Sequence, residues 1–406
     1  MSTSSPRLNL RTPEVMREVQ ARVEQHYHSS LIEQVRSQGG RLLVGQTTCY
    51  LAKQFGFCYG VERAINLAYA ARSVFPQERL FLVGEIIHNP EVNAHISALG
   101  IKNLLEEEGG AAINSLKPED VVILPAFGTE VSILEKIKAR GCRLVDTTCG
   151  DVMSVWKRVK QNTMEGTTSI IHGRASHEET KATASRAFAG GKGHYLIVLN
   201  LEEVDFLVRY LLGEESSEHF LKKFDGAYSP GFNPELHLRR LGLANQTTML
   251  RSETEEIQQR LSHALEQRDG CRDNFRFFDT ICGATQERQE ALLELLEKPL
   301  DFLLVVGGYN SSNTTHLAEI GEKKFPTYFI RNQQCLESLT SLRYFELKRH
   351  QEVLLEKFWM IKKLQEPLAI GITAGASCPN YLLQEVILRL LELRGEEFHH
   401  AAFFTS

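Results

Sequence analysis

Residues 146–150 read Asp-Thr-Thr-Cys-Gly, and residues 279–283 repeat them as Asp-Thr-Ile-Cys-Gly. Each copy follows a short apolar stretch, which predicts a strand, and opens a stretch with helical periodicity. A looser third copy, Gly-Phe-Cys-Tyr-Gly at 56–60, also precedes a predicted helix. Three cysteines in the same turn before a helix predict three similar α/β domains around a common centre.

The rest of the chain repeats this alternation, which is typical of α/β folds built on parallel strands. The predicted strands are 42–45, 79–83, 121–125, 143–146, 169–172, 195–199, 275–279, 302–306, 327–330 and 369–373. Two regions depart from the pattern. Residues 214–240 lack a clear period and predict an insertion, whereas 336–363 predict one long helix that contains Phe358 and Trp359.

These patterns predict a chain of several domains, because a single core rarely grows beyond about 250–300 residues and this chain has 406. Residues 1–42 predict a charged helical extension that joins the globular body near Arg41. The predicted divisions are a first α/β domain at 43–150, a second at 151–280 that includes the insertion, a third at 281–393, and a tail at 394–406.

Composition excludes several classes of protein. The net charge of −5 argues against nucleic-acid binding, which depends on a basic surface. No apolar run approaches the roughly 20 residues that cross a bilayer, and the N-terminus lacks the apolar core of a secretory signal. We therefore expect a cytoplasmic protein without membrane or nucleic-acid partners. Its eight cysteines are too sparse for a disulfide scaffold.

The three repeated cysteines, Cys58, Cys149 and Cys282, each precede a predicted helix, whose positive dipole end favours the thiolate that binds metals. Zinc sites use local Cys-x2-Cys pairs, and the chain has none. Three separated thiolates suit an iron–sulfur cluster with one iron left for substrate. Three reduced structural thiols remain the alternative from the pattern alone. For the other cysteines we predict small buried side chains: Cys49, Cys142, Cys271, Cys335 and Cys378.

Two loops have the composition of anion sites. Residues 307–313 read Gly-Gly-Tyr-Asn-Ser-Ser-Asn, and 373–377 read Thr-Ala-Gly-Ala-Ser. Glycine allows close backbone approach, and Ser and Asn supply donors beside a helix N-terminus. Neither loop matches a nucleotide-binding fingerprint, and no Gly-x-Gly-x-x-Gly follows a strand. The sequence therefore predicts binding of a non-nucleotide anion.

Further motifs occur in a fixed order between residues 56 and 377. They are His88-Asn89, His177-x-Glu179, Gln246-Thr247-Thr248, Asn310-Ser311-Ser312-Asn313 and Ser377, interleaved with the three cysteine motifs. This ordered set resembles the 4-hydroxy-3-methylbut-2-enyl diphosphate reductases, the terminal enzymes of the methylerythritol phosphate route to isoprenoids. The N-terminal extension and the insertion are similar to those of the longer plastid and cyanobacterial members.

The resemblance implies a pseudo-threefold trefoil of α/β domains around a central [4Fe-4S] cluster, with Cys58, Cys149 and Cys282 as ligands. Glu179 would be the proton-relay acid, with Thr247 and His177 near the reacting end of the substrate. The implied diphosphate contacts are His88, Ser311, Ser312, Asn313 and Ser377. One residue departs from the pattern: shorter bacterial members carry a phosphate-side histidine in an Ala-His-Gly turn, where this chain has Phe127.

The implied reaction is a reductive dehydroxylation that gives isopentenyl and dimethylallyl diphosphates. Because the chain contains no flavin or nicotinamide motif, electrons must come from a separate protein, and ferredoxin is the expected donor. A homodimer is also expected as an assembly. The alternatives are a non-enzymatic iron–sulfur sensor or scaffold, which would not need the anion loops, and a zinc hydrolase, which the cysteine spacing disfavours.

Overall fold

A computed structural model describes residues 12–105, 113–356 and 366–398, together with Leu10. Its helices are α1 (Pro13–Tyr27), α2 (Ser30–Ser37), α3 (Tyr59–Val74), α4 (Pro90–Ala98), α5 (Val131–Ala139), α6 (Gly150–Met164), α7 (Glu178–Phe188), α8 (Leu201–Leu211), α9 (Ser217–Lys223), α10 (Pro234–His237), α11 (Arg251–Asp269), α12 (Gly283–Leu295), α13 (Ser312–Glu322) and α14 (Asn380–Leu393). Its strands are β1 (Arg41–Val44), β2 (Thr47–Leu51), β3 (Leu80–Leu82), β4 (Ile101–Asn103), β5 (Val121–Leu124), β6 (Arg143–Asp146), β7 (Thr168–His172), β8 (Tyr195–Val198), β9 (Leu241–Asn245), β10 (Phe275–Phe277), β11 (Phe302–Val306), β12 (Thr327–Ile330), β13 (Ser341–Glu346), β14 (Gln351–Glu356) and β15 (Leu368–Ala374).

The chain folds into two compact units. The first unit contains Ala70–Ile86 and the described part of Ile96–Cys282, and the second contains Thr12–Tyr69, Ile87–His95 and the described part of Gly283–Ser406. No described helix is long and apolar enough to cross a bilayer. Strands alternate with helices in both units, and this confirms the predicted α/β class.

The first unit contains two parallel sheets, with strand orders β4-β3-β5-β6 and β10-β9-β7-β8. Every residue of the inner strands β5, β7 and β9 is buried. Continuous burial is expected of parallel strands whose two faces are both covered by helices. This continuous burial explains why runs of apolar residues, rather than alternating apolar and polar residues, predicted strands β5 and β7.

The second unit contains one five-stranded sheet, in the order β1-β2-β15-β11-β12. All of its pairings are parallel except the β1–β2 hairpin. The hairpin therefore shares a sheet with strands from residues 302–374 rather than with β3, the strand that follows it in sequence. This differs from the predicted first domain, which began at residue 43, because sheet membership depends on pairing that a local pattern does not contain.

Residues 341–356 form an antiparallel hairpin, so the predicted helix over 336–363 is wrong in this region. Strands β13 and β14 pair from Ser341 with Glu356 to Glu346 with Gln351, and the turn between them includes His350 at φ +50°. In β14 the more buried residues alternate with exposed ones, the period of a half-buried strand. Phe358 and Trp359 lie outside the described residues.

The N-terminal extension is helical as predicted, but its second helix belongs to the core. Leu31, Ile32 and Val35 of α2 are fully buried in the same apolar cluster as strands β11 and β15. Arg36 donates from Nη2 to the Phe55 carbonyl at 3.3 Å and lies over the Phe55 ring. The extension therefore joins the globular body before Arg41 and contacts the loop that leads to Cys58.

The predicted insertion at 214–240 contains the short helices α9 and α10. Its phenylalanines Phe220, Phe224 and Phe232 are buried in one cluster with α8 and strand β9. Ring centroids of Phe220 and Phe224 lie 4.8 Å apart. The segment is thus packed onto the first unit by aromatic side chains, although its sequence lacks a regular period.

Candidate active site

The three repeated cysteines occupy the same backbone position in three strand–helix turns. Cys58, Cys149 and Cys282 each immediately precede a helix, α3, α6 and α12 respectively. Each donates its N–H to the carbonyl two residues beyond the end of a parallel strand. The acceptors and distances are Ala376 after β15 at 3.2 Å, Ala126 after β5 at 2.8 Å and Thr247 after β9 at 3.2 Å.

Exposure separates these three cysteines from most of the others. Cys58, Cys149 and Cys282 are half-buried thiols without disulfides, whereas Cys49, Cys142, Cys335 and Cys378 are buried. Burial raises the pKa of Cys49 to about 12 and that of Cys142 to about 11. The prediction that the remaining cysteines have buried side chains is confirmed for these four and is wrong for Cys271, which is exposed.

In the second unit, the two predicted anion loops converge on His88. Ser377 donates from Oγ to the His88 carbonyl at 3.1 Å and lies 3.5 Å from Ser311 Oγ. Asn310 Nδ2 lies 3.4 Å from His88 Nδ1. Ser311 caps the N-terminus of α13 by accepting the Thr314 N–H. The half-buried Ser312 begins the first turn of that helix.

Asn313 supplies a hydrogen-bond donor to this cluster. It is 3% exposed, and its Oδ1 accepts the Ala376 N–H at 2.9 Å. Its buried Nδ2 has no hydrogen-bond partner in the described structure. An unsatisfied buried donor costs about 1–3 kcal/mol, so an anion bound at the α13 N-terminus would satisfy Asn313.

Two glycines allow the anion loops to pack closely against His88 and Thr314. A Cβ at Gly308 would lie 2.5 Å from the His88 carbonyl oxygen, and one at Gly375 would overlap Thr314 Oγ1. A larger residue at Gly308 would push its loop away from His88, and one at Gly375 would push the Ser377 loop away from α13. The glycines that were predicted to permit close backbone approach therefore bring the loop backbone close to other atoms of the protein.

In the first unit, Glu179, Thr247 and His177 form a buried hydrogen-bonded group. Thr247 donates from its backbone N at 2.6 Å and from Oγ1 at 3.0 Å to the two carboxylate oxygens of Glu179. His177 Nδ1 accepts the Glu179 N–H at 3.2 Å. A neutral imidazole that accepts at Nδ1 carries its proton on Nε2. The three residues are between 3% and 8% exposed.

Comparison with known proteins identifies the family. A family model described as LytB protein matches residues 49–391. This chain belongs to the LytB family. A 4-hydroxy-3-methylbut-2-enyl diphosphate reductase from Synechococcus sp. (strain RCC307) is 45% identical over 93% of this chain and 91% of its own length. One from Thermosynechococcus vestitus is 44% identical over 93% of this chain and 92% of its own.

Solved structures of LytB proteins share the fold. A structure of (E)-4-hydroxy-3-methyl-but-2-enyl diphosphate reductase, described as the terminal enzyme of the non-mevalonate pathway, matches with a TM-score of 0.51 and 25% identity. It aligns over 86% of this chain and all of its own. The Plasmodium falciparum reductase aligns over 84% of this chain and 87% of its own, with a TM-score of 0.61 and 22% identity.

Phe127 of this LytB chain lies one residue after the carbonyl that accepts the Cys149 N–H. Thr248 and Ser377 hold the same position after the acceptors for Cys282 and Cys58. The ring of Phe127 is 8% exposed, and its centroid lies 6.5 Å from that of His177 in an edge-to-face arrangement. Phe127 therefore packs beside the Glu179 group, where an apolar ring cannot donate to phosphate.

Sequence reasoning did not identify the polar residues beneath the Thr247 loop. Asn245 donates its backbone N–H to Thr280 Oγ1 at 2.9 Å, and that hydroxyl donates to Asn245 Oδ1 at 3.1 Å. Asn245 Nδ2 also donates to Thr254 Oγ1 at 2.6 Å. The only indication in the sequence was that Thr280 repeats Thr147, which donates to the Leu124 carbonyl at 2.5 Å.

Proposed function

We propose that this LytB protein reduces 4-hydroxy-3-methylbut-2-enyl diphosphate to isopentenyl and dimethylallyl diphosphates. Two electrons and two protons are consumed: the allylic C–O bond breaks, the oxygen leaves as water, and a C–H bond forms. The observation that carries the proposal is the 45% identity to a named reductase over 93% of this chain. The anion loops and the Glu179 group supply the two kinds of chemistry that this substrate requires.

The LytB family consists of iron–sulfur enzymes, and we assign a [4Fe-4S] cluster to Cys58, Cys149 and Cys282. The donor set fits, because all three are half-buried thiols that form no disulfide and occupy equivalent backbone positions. Thiolates are the usual ligands of such clusters. When bound, the cluster would supply electrons and, at the iron without a cysteine ligand, a Lewis acid for the substrate oxygen.

The diphosphate is assigned to His88, Ser311, Ser312, Asn313 and Ser377. Four of these side chains are neutral donors, and Ser311 and Asn313 lie at the N-terminus of α13, where backbone N–H groups also favour an anion. The unsatisfied Asn313 Nδ2 supports this assignment. Since Ser311, Asn313 and Ser377 are held by hydrogen bonds between the loops before substrate arrives, binding requires little reorganisation of these donors.

Proton delivery is assigned to Glu179, with Thr247 and His177 beside it. The Thr247 hydroxyl donates to the Glu179 carboxylate in this structure; after Glu179 takes up a proton, the bond can reverse and leave the threonine hydrogen available to the substrate. The Nε2 hydrogen of His177 provides a second donor, because its Nδ1 is engaged by the Glu179 N–H. A positioned acid of this kind assists the loss of a poor leaving group.

We further propose that ferredoxin supplies the electrons and that the enzyme acts in the cytoplasm. Turnover of anaerobically purified protein, with methyl viologen reduced by dithionite as the electron source, tests the reaction independently of ferredoxin. The expected products are the two five-carbon diphosphates, identified by mass spectrometry, from protein that contains iron and sulfide. Protein with a full complement of iron and sulfide that forms neither product would contradict the proposed function.

A further inference from the structure

The exposed face of α6 differs from an ordinary solvated helix surface. Met153, Lys157, Lys160 and Met164 recur at the spacing of one helical face. All four are exposed, and the two methionines are 43% and 72% exposed. Methionine is flexible and polarisable, and proteins use it where one surface must adapt to a partner. A stripe with apolar ends and a basic middle therefore runs along α6.

The cations on this helix are uncompensated. Lys157, Arg158 and Lys160 form no ion pair within the part of the chain that the structure describes. Two nearby acids have other partners, since Glu165 pairs with Arg276 and Asp279 with Arg251 at 3.2 Å. The exposed Asp151 in the first turn of α6 leaves the helix with three cations against one acid. The stripe is consequently positive although the whole chain carries a net charge of −5.

Two of the repeated cysteine turns adjoin this stripe within the first unit. Cys149 is the N-cap of α6, and at a rise of about 1.5 Å per residue Lys157 lies roughly 12 Å along the helix from it. The Arg158 guanidinium lies over the Phe278 ring, 4.4 Å from its centroid. Phe278 precedes Cys282 by four residues. The basic surface therefore lies beside the backbone that holds two candidate cluster ligands.

We propose that the α6 stripe is the docking surface for a small acidic electron-transfer protein. The inference rests on the proposed function, in which both electrons come from another protein. Opposite charges accelerate such encounters and fix their orientation, and the methionines supply adaptable apolar contacts at the ends of the stripe. The partner would be brought close to the two cysteine turns.

The test compares two electron sources. The double variant Lys157→Glu/Lys160→Glu reverses the stripe, and Lys157→Gln/Lys160→Gln removes its charge without reversal. Lys136→Glu/Lys138→Glu on α5 is the matched control, since it makes the same change on another exposed helix of the first unit. Turnover is measured with reduced plant-type ferredoxin at several salt concentrations and with methyl viologen.

We expect the reversed variant to raise the KM for ferredoxin tenfold or more, the neutral variant to raise it less, and both to keep the methyl viologen rate. Added salt should raise the KM of the unmodified enzyme and of the α5 control, but not that of the reversed variant. An unchanged KM for ferredoxin, or equal losses with both electron sources, would overturn the docking surface. So would binding of anionic lipid vesicles, rather than ferredoxin, that depends on these lysines.

A separate outcome concerns the proposed function. If the unmodified protein, carrying iron and sulfide, gives no product with methyl viologen, the reaction itself is wrong and the docking proposal fails with it. Turnover with methyl viologen combined with an unchanged ferredoxin KM in the variants would refute only the docking surface.

Discussion

Thr247 holds both carboxylate oxygens of Glu179, one through its backbone N–H at 2.6 Å and the other through its hydroxyl at 3.0 Å. The Thr247 carbonyl in turn accepts the Cys282 N–H at 3.2 Å. The proposed proton donor and a proposed cluster ligand are therefore both hydrogen-bonded to Thr247. Movement of the Thr247 loop would displace the acid and the cysteine together.

Glu179→Gln should separate catalysis from binding. Glutamine preserves the size of the side chain and one acceptor for Thr247, but it cannot deliver a carboxylic proton. Turnover should fall by roughly 10²–10⁴, the usual effect of losing a general acid. Iron content and substrate affinity, measured on the same preparation, should change little because other residues are assigned to them.

The control for this prediction is Glu218→Gln. Glu218 lies in the first turn of a helix, as Glu179 does, but it is exposed whereas Glu179 is buried, and it has no assigned role. Its replacement should leave turnover close to that of the unmodified enzyme. A Glu179→Gln enzyme with near-normal turnover would show that the proton comes from elsewhere, with His177 as the next candidate.

Asn313→Ala should weaken diphosphate binding. The variant removes the buried Nδ2 donor, and a hydrogen bond to a charged group contributes about 1.5–3 kcal/mol, so affinity should fall roughly tenfold to a hundredfold. Calorimetry with the substrate, or with inorganic diphosphate, measures this directly. Asn274→Ala is the control, since its amide donates to Asp269 outside the anion loops; equal affinity in the two variants would remove Asn313 from the site.

Replacing any one of Cys58, Cys149 or Cys282 by Ser should remove the visible absorption and most of the iron of anaerobically purified protein. Cys335→Ser supplies a buried control and Cys271→Ser an exposed one, and both should retain the chromophore. Iron, sulfide and absorption spectra decide the outcome. A Cys282→Ser protein with a full cluster would exclude Cys282 as a ligand.

The sequence predicted elements best where one local pattern determines them. Strand 143–146, strand 302–306 and strand 327–330 were predicted with the observed bounds. Strand β9 was missed because its sequence, Leu-Gly-Leu-Ala-Asn, contains residues that disfavour strands. Its glycine is required by packing, since a Cβ at Gly242 would overlap the Asn162 side chain. That requirement exists only in the folded protein.

The residues of the candidate site, like the strands, could be predicted only where a local sequence pattern identifies them. Glycine-rich and serine-rich loops after strands could be recognised locally, and the structure brings His88, Ser311 and Ser377 together as expected of one anion site. The pairing of Asn245 with Thr280 joins residues 35 positions apart and matches no motif. Such supporting contacts depend on which strands become neighbours, and this was not available from the sequence.

The stability of the insertion should depend on pH. His194 and His237 stack with ring centroids 3.5 Å apart, and burial lowers the pKa of each below its usual range; for His237 the neighbouring His194 adds to the effect. The unfolded chain then binds more protons than the folded one, so stability falls as pH drops through the unfolded pKa near 6.5.

The replacement His194→Phe/His237→Phe retains stacked rings but does not titrate. Its melting temperature should change less between pH 7.5 and pH 5.5, a window of about one unit either side of that pKa, than the melting temperature of the unmodified protein. A residual decrease is expected from His95, whose pKa burial also lowers. Identical pH dependence in the two proteins would show that the stacked pair does not carry this effect.

Thr280→Val tests whether the Asn245–Thr280 contact positions the site or only stabilises the fold. Valine retains the shape but removes the hydroxyl, which leaves buried polar groups of Asn245 unsatisfied and costs about 1–3 kcal/mol. Thr147→Val makes the same change in the equivalent turn, where the hydroxyl donates to a backbone carbonyl. If the contact positions the Thr247 loop, Thr280→Val should lower turnover with methyl viologen more than Thr147→Val does, even when the two variants lose the same free energy of unfolding. It should also make the reaction of Cys282 with a thiol reagent faster in cluster-free protein. Equal effects of the two variants on turnover and on thiol reactivity would reduce Asn245 and Thr280 to a structural role.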